Sequence, residues 1–184
     1  MFTIDDVTLR PLEVDDIDML YLWDSDSMLE ILAGWGPKRS PSAFRQRHEQ
    51  RIAEPRSDLE TFGVVVDQQL VGYVQLALID LVERRAAVGI VLGDRTAWGR
   101  GIGRTAVRIL LDYAFTVRGL ERVVAECYGF NLRAHQLFER GGFQREGVLR
   151  QHEVHNGVRQ DMHVFGILKA EFYQRYETIF RLPS

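Results

Sequence analysis

Apolar and polar positions change period several times along this 184-residue chain, and each change predicts an element. Val7 to Arg10 reads as a strand that stops at Pro11. Asp15 and Asp16 then open a helix carrying Ile17, Leu20, Tyr21 and Trp23 on one side. Gly34, Gly36, Pro37 and Pro41 break the next stretch, after which Ser42 to Ala53 reads as a polar helix rich in Arg, Gln and Glu. Phe62 to Val66 and Leu70 to Leu78 are β-rich runs separated by Asp67, Gln68 and Gln69, which is hairpin spacing. A third strand, Ala86 to Leu92, follows the charged Glu83, Arg84 and Arg85, so three neighbouring strands should pair antiparallel.

From Gly103 the period becomes helical, with Val107, Leu110, Leu111, Ala114 and Phe115 on one face and Arg104, Arg108 and Asp112 on the other. Arg118 and Gly119 should end that helix. A strand, Arg122 to Tyr128, feeds Asn131 as a helix cap, and the helix behind it buries Ala134, Leu137 and Phe138 before Gly141 and Gly142 stop it. Strand, helix, strand at this spacing is a crossover, so the two strands should be parallel. Asn156-Gly157 between two β-like runs predicts a hairpin, and Lys169 to Phe180 a closing helix. With no repeat and no linker, one α+β domain spanning residues 1–184, built on a mixed sheet, is the expected architecture.

Composition sharpens this picture by exclusion. Hydrophobic residues at 46% and charged residues at 27% are ordinary for a globular chain, and the net charge of −3 argues against nonspecific binding to nucleic acid or anionic membranes. One cysteine, Cys127, forms no internal disulfide, no apolar run approaches the ~20 residues that cross a bilayer, and the amino end lacks a secretory pattern. A cytoplasmic protein is therefore expected. Phe172, Tyr173, Tyr176 and Phe180 form a stripe that covers the chain's own core in a monomer or joins a homodimer, the former being preferred.

The segment Gly93-Asp-Arg-Thr-Ala-Trp-Gly-Arg-Gly-Ile-Gly-Arg104 lies between a strand and the strongest helix. Glycines at 99, 101 and 103 let backbone N–H groups turn inward, the helix start adds partial positive charge, and Arg95, Arg100 and Arg104 add donors: a phosphate cradle. The plain alternative is a glycine-rich connection, which would spend order and charge for nothing. No Gly-Lys-Ser/Thr follows, so it is not a P-loop. Gly101-x-Gly103-x-x-Ala106 with Glu121 matches a relaxed dinucleotide fingerprint, but that motif leaves its strand directly and here five residues separate Gly93 from Gly99.

Trp-Gly-Arg-Gly-Ile-Gly, the amphipathic helix, the strand, the Asn-x-x-Ala helix and Gly-Gly-Phe together resemble the GNAT superfamily of acetyl-CoA-dependent N-acetyltransferases. The similarity is greatest to its ribosomal-protein N-terminal acetyltransferase branch, through Leu9-Arg10-Pro11-Leu12, Asn131 to Ala134, Phe143 to Arg150 and the Asn156-Gly157 hairpin ending in Phe165-Gly166-Ile167-Leu168. The resemblance implies an α+β fold with a central, mostly antiparallel twisted sheet that has one splayed parallel pair and is flanked by helices. It implies that backbone groups of Ile90, Val91 and Leu92 pair with the pantetheine arm of acetyl-CoA, and that Trp98, Gly99, Arg100, Gly101, Ile102, Gly103 and Arg104 surround the pyrophosphate. It further implies that Asn131 bonds the pantetheine and that the helix of Arg133, Ala134 and Phe138 flanks the arm and the sulfur.

The departures bear on mechanism. Where many members have a glutamate base this chain has Val88, and where they have a tyrosine acid it has Phe138. An α-amine is about one-sixth neutral at pH 7 and a lysine about once in 2,500, so a site without a strong base suits α-amines. Glu126 and Tyr128, two apart on one strand face with Cys127 opposite, are candidates to orient a water and to protonate the leaving thiolate; the alternative is a solvated strand residue and a packing ring. His152 and His155 fall on opposite strand faces and Cys127 with His135 reads as packing, so neither a metal site nor a covalent nucleophile is expected. His48 and His163 read as surface or hairpin residues with no assignable partner. Residues 28–41 and the hairpin at Asn156 should wall the acceptor pocket, with Trp35 either stacking on substrate or packing under its flanking glycines. Asp24, Asp26 and Glu30 suit a cationic acceptor or a solvated face. The leading expectation is acetyl transfer to a protein or peptide α-amine. Polyamine, aminoglycoside or amino-acid acceptors, an inactive acyl-CoA-binding module and an NAD(P) oxidoreductase are the alternatives.

Overall fold

The computed structural model describes residues 1–34, 36 and 38–180. Its centre is one eight-stranded sheet in the order β1-β2-β3-β4-β5-β6-β8-β7. The strands are β1 (Phe2–Ile4), β2 (Val7–Pro11), β3 (Leu59–Val66), β4 (Gln69–Asp80), β5 (Arg85–Leu92), β6 (Arg122–Tyr128), β7 (Gln144–His155) and β8 (Val158–Leu168). Every neighbouring pair is antiparallel except β5 with β6. The parallel β5–β6 pair is the one that the crossover spacing predicts, and the rest of the sheet is the α+β arrangement that the resemblance implies. Asn156 and Gly157 adopt φ of 51° and 75°, the left-handed pair that a tight hairpin between β7 and β8 demands.

The helices are α1 (Ile17–Asp24), α2 (Ser27–Ala33), α3 (Pro41–Ala53), α4 (Ile102–Asp112), α5 (Leu132–Gly141) and α6 (Lys169–Arg175). α4 runs on into a π-helical turn, Tyr113–Val117. Its apolar face, including Ala106, Val107, Leu110 and Ala114, is buried with Val74, Leu76, Ala86 and Val88 in the larger core, where each fully buried large side chain contributes about 1.5–3 kcal/mol. A second, smaller core of Ile17, Leu20, Trp23, Leu29 and Phe44 joins α1, α2 and α3, and Tyr73 of β4 packs against it.

Three elements differ from the sequence pattern. β1 pairs with β2 across a turn in which Asp5 has φ of 53°, but three residues are too few to show a period. α2 forms inside the stretch read as broken, because the Asp26 carboxylate caps the N–H groups of Met28 and Leu29 at 2.8 and 3.3 Å. α6 ends at Arg175 rather than at Phe180. The chain leaves the helix to satisfy the buried Asp112 carboxylate, which accepts from Thr116 Oγ1 at 2.8 Å, Tyr173 Oη at 3.2 Å, Thr178 Oγ1 at 3.2 Å and the Ile179 N–H at 2.6 Å. The aromatic stripe covers the chain's own core: Phe172 is fully buried against Phe115, and Phe180 meets Phe2 edge-on. Replacing Asp112 by Ala strands several donors at once. The expected cost is about 3 kcal/mol, a fall in Tm of roughly 6–12 °C for a chain of this size, read by calorimetry.

Candidate active site

Pairing between β5 and β6 is confined to Arg85↔Arg122, Ala86↔Val123 and Ala87↔Val124. Beyond that point residues 88–92 of β5 and 125–128 of β6 diverge, leaving the backbone edge of β5 without a strand partner. Such an edge presents N–H and C=O groups that an extended, amide-bearing ligand can satisfy in the manner of an added strand. Ile90, Val91 and Leu92 lie on this edge, as expected. The Leu92 carbonyl, however, already accepts from the indole Nε1 of Trp98 at 2.8 Å.

The glycine turn enters next. Gly99 and Gly101 have φ of 75° and 85°, and an added Cβ at either would meet nothing within 4 Å, so the left-handed backbone and not crowding requires glycine there. Gly101 is the N-cap of α4 and supplies no capping side chain, whereas Asp26, Ser40 and Asn131 cap α2, α3 and α5. The first-turn N–H groups of α4 have no partner within the helix and are left for an anion. Arg100 and Arg104 are exposed beside them. Ile102 is 3% exposed, so its side chain belongs to the core and only its backbone can serve a ligand. Arg95 is not a third free donor: its guanidinium binds the Asp26 carboxylate at 2.6 and 2.7 Å.

Several other expected site residues have partners of their own. The Arg133 guanidinium lies 4.3 Å over the Trp98 ring, so these two link α5 to the end of β5 across the splay. Asn131 caps α5 through its oxygen, 3.1 Å from the Ala134 N–H, and donates from Nδ2 to the Leu32 carbonyl at 3.0 Å. One amide N–H therefore remains for a ligand. Phe138 is 3% exposed and packs on Phe143 and Phe165 at 5.3 and 5.7 Å between ring centres, a core ring without an acidic proton. Val88 faces the α4 core. Its neighbours Ala87 and Gly89 share the opposite face with Val91, and none of these three carries an ionisable group.

On β6, Cys127 is buried on the core face and burial pushes its thiol up to about 12, which is packing chemistry and not that of a nucleophile. His135 is no base for it, since its Nε2 lies 3.2 Å from the Tyr128 carbonyl. Glu126 and Tyr128 share the other face, just past the last β5–β6 pair. Glu126 is exposed. Tyr128 is buried at 6%, its hydroxyl donates to Glu153 at 3.0 Å, and its ring stacks on Phe130 at 5.0 Å. Burial, then the bond to and charge of Glu153, raise the Tyr128 phenol above its ordinary value, so it holds its proton.

A cleft of about 740 Å³ opens on the face of β4 and β5 opposite α4, under α1, α2 and α3. It reaches Val91, Gln75 and Tyr73 on the sheet and Glu30, Gly34 and Arg39 in the 28–41 stretch, which walls it as expected. The Asn156 hairpin does not line it; its His155 instead packs against Tyr128 at 5.0 Å. Trp35 lies outside the described residues. His48 is a residue the sequence reading missed: it lines the cleft, stacks on Phe44 at 4.0 Å and sits 3.0 Å from that residue's carbonyl. Phe44, Arg47, His48 and Arg51 stand three and four apart, a helical stripe that was visible in the sequence. His163 faces His135 at 4.4 Å beneath α5.

Residues 6–144 match the family profile described as acetyltransferase (GNAT) domain. The chain belongs to the GNAT family. It is an acetyl-CoA-dependent N-acetyltransferase, and the open β5 edge and the uncapped α4 start fit that co-substrate. Among relatives, p20 of Bacillus licheniformis, an uncharacterised N-acetyltransferase, is 30% identical over 90% of this chain and 94% of its own. A solved spermidine N-acetyltransferase of Vibrio cholerae, in complex with CoA and spermine, has a TM-score of 0.84 at 27% identity, covering 91% of this chain and 98% of that one. The ribosomal L7/L12 α-N-protein acetyltransferase RimL, in complex with coenzyme A, has a TM-score of 0.81 over 90% of this chain and 95% of that one. At 19% identity that last likeness shows the fold alone. Among the described residues no helix is long and apolar enough to cross a membrane, and no group of three His, Cys, Asp or Glu side chains could hold a metal ion.

Proposed function

We propose that this GNAT enzyme transfers acetyl directly from acetyl-CoA to a primary α-amine, foremost that of a protein or peptide amino terminus. The observation that carries the preference is the cleft face of β5: Ala87, Gly89 and Val91 offer no base, and Phe138 offers no acid. A site with no base to strip the ammonium before attack must take its acceptor neutral, and α-amines are neutral far more often than lysines.

Acetyl-CoA supplies the activated acetyl group. The chain holds it through the free edge of β5, the N–H groups at the start of α4 with Gly99, Arg100 and Arg104, the remaining Asn131 N–H, and the Trp98–Arg133 stack. Glu126 orients a water that receives the amine proton, and Tyr128 Oη, kept protonated, donates to the departing sulfur. Monomer or homodimer is our working assembly. A single buried thiol is in keeping with a reducing cytoplasm.

A small-molecule polyamine acceptor is the second reading, supported by the likeness to the Vibrio cholerae spermidine enzyme, 29% identical over 93% of this chain. Thiol release from acetyl-CoA, measured across peptides, lysine derivatives, spermidine and an aminoglycoside, separates the two. The proposal expects peptide α-amines to lead. Spermidine in the lead would replace it with the second reading, and CoA binding without release from any amine would leave an acyl-CoA-binding module.

A further inference from the structure

We propose that the acceptor amine belongs to a molecule that also carries a carboxylate, and that Arg47 and Arg51 of α3 hold this carboxylate in the cleft. The inference rests on the transfer reading above and names its substrate class.

The cleft stripe on α3 is cationic for a definite reason. His48 contributes no charge near neutrality: its Nδ1–H donates to the Phe44 carbonyl, and burial holds the ring below its ordinary value. Positive charge there comes from the arginines. Arg51 is half-buried, and burial, followed by the charges of Arg47, Arg56 and Arg39, depresses its affinity for its own proton. Like charges gathered round a half-buried guanidinium are unfavourable unless an anion joins them. Arg56 has one, since Asp58 binds it at 2.8 and 2.6 Å. The ion pairs made by α3 use Arg45, and among the described residues no carboxylate lies within ion-pair distance of Arg47 or Arg51.

Two of the three acidic residues described on the cleft wall are already engaged elsewhere. Glu30 is paired with Lys38, and Glu60 with Arg118 at 3.1 Å. Among the described residues Asp24 makes no ion pair; its single charge acts on His48 and Tyr73 and faces two arginines, Arg47 and Arg51. A polycation entering this cleft would meet arginines that already repel one another, whereas a carboxylate would receive planar, paired donors. The cleft has the volume of a small-molecule site, enough for an amino acid or the first residues of a peptide. It also ends at Val91, on the strand whose free edge would carry the thioester.

The test compares Ala-Ala-Glu and Ala-Ala-Gln, both amidated at the carboxyl end so that the side chain is the one difference, with free glutamate and spermidine as further arms. The native enzyme should favour the Glu peptide by about tenfold, mainly through KM. Arg51→Gln and Arg47→Gln should each shrink that ratio severalfold, and Arg51→Lys, which keeps the charge but not the planar fork, should fall between native and Arg51→Gln. Free glutamate matching the Glu peptide marks an amino-acid acceptor; the peptide ahead marks an acidic amino terminus. A ratio near one in the native enzyme, spermidine ahead of both peptides, or an Arg51→Gln change in Tm with the ratio untouched would each overturn the assignment. Should no amine be acetylated although CoA binds, the transfer reading fails by itself. Calorimetric titration of the Glu peptide into the CoA-bound protein then decides the anion site: saturation lost in Arg51→Gln upholds it, and no saturation in the native protein overturns it.

Discussion

At pH 7 a peptide whose only amine is its amino terminus is expected to be acetylated with a kcat/KM about 400-fold above that of the same peptide with a blocked amino terminus and one lysine, the ratio of their neutral fractions. The cause is the composition of the cleft face of β5. Ala87, Gly89 and Val91 carry no group on that face that accepts an ammonium's proton ahead of attack. Deprotonation is then left to solvent and costs about 1 kcal/mol for the α-amine against roughly 4.6 for lysine. The pH profile follows. For the α-amine, kcat/KM should climb about tenfold per unit below pH ~7.7 and level off above it, while the lysine peptide should keep climbing towards ~10.4. Thiol release between pH 6 and 10 checks both slopes. A lysine peptide equal to or faster than the α-amine at pH 7 would show that a base has been overlooked, and His48 in the cleft would be the first residue to examine.

Tyr128→Phe is expected to lower kcat by about 100-fold while acetyl-CoA affinity stays within about twofold, because general acid catalysis by one positioned group is typically worth 10²–10⁴. The substitution keeps the ring, its stack on Phe130 and its contact with His155, so the fold loses little. It removes one hydroxyl, which burial and Glu153 keep protonated. Glu153 is exposed, so it can exchange protons with water and restore the phenol after each turnover. Glu153→Gln should then lower kcat less than Tyr128→Phe does, since the hydroxyl retains an acceptor. Turnover unchanged in Tyr128→Phe would exclude Tyr128 from proton transfer and leave it as a packing ring between β6 and the Gly34 backbone, whose added Cβ would lie 3.0 Å from the hydroxyl.

The strands after β1, the crossover and the Asn156-Gly157 hairpin were legible because each is a local pattern of period or turn chemistry. So was the glycine turn before α4, where alternate glycines have no other cheap use. Arg95, Asn131 and Trp98 show where such reading stops. Sequence marks them as polar or aromatic groups beside a ligand, but not that Arg95 is spent on Asp26, 69 positions away, or that the Asn131 amide reaches Leu32, 99 positions away. Val88 shows the same limit at shorter range: its position on the strand was right, but its face put it in the α4 core.

Sequence alone determined the family of folds, the place of the glycine turn ahead of α4 and the lack of an ionisable side chain at Val88 and Phe138, since these depend on residue type and near spacing. Tertiary structure decided that β5 and β6 part after Ala87 and Val124, that Tyr128 meets Glu153, and that Arg47 and Arg51 stand over a cleft ending at Val91. Those facts come from elements distant in the chain meeting across a twisted sheet. Local pattern carries no record of such meetings, because each strand and helix reads the same whichever neighbour it packs against.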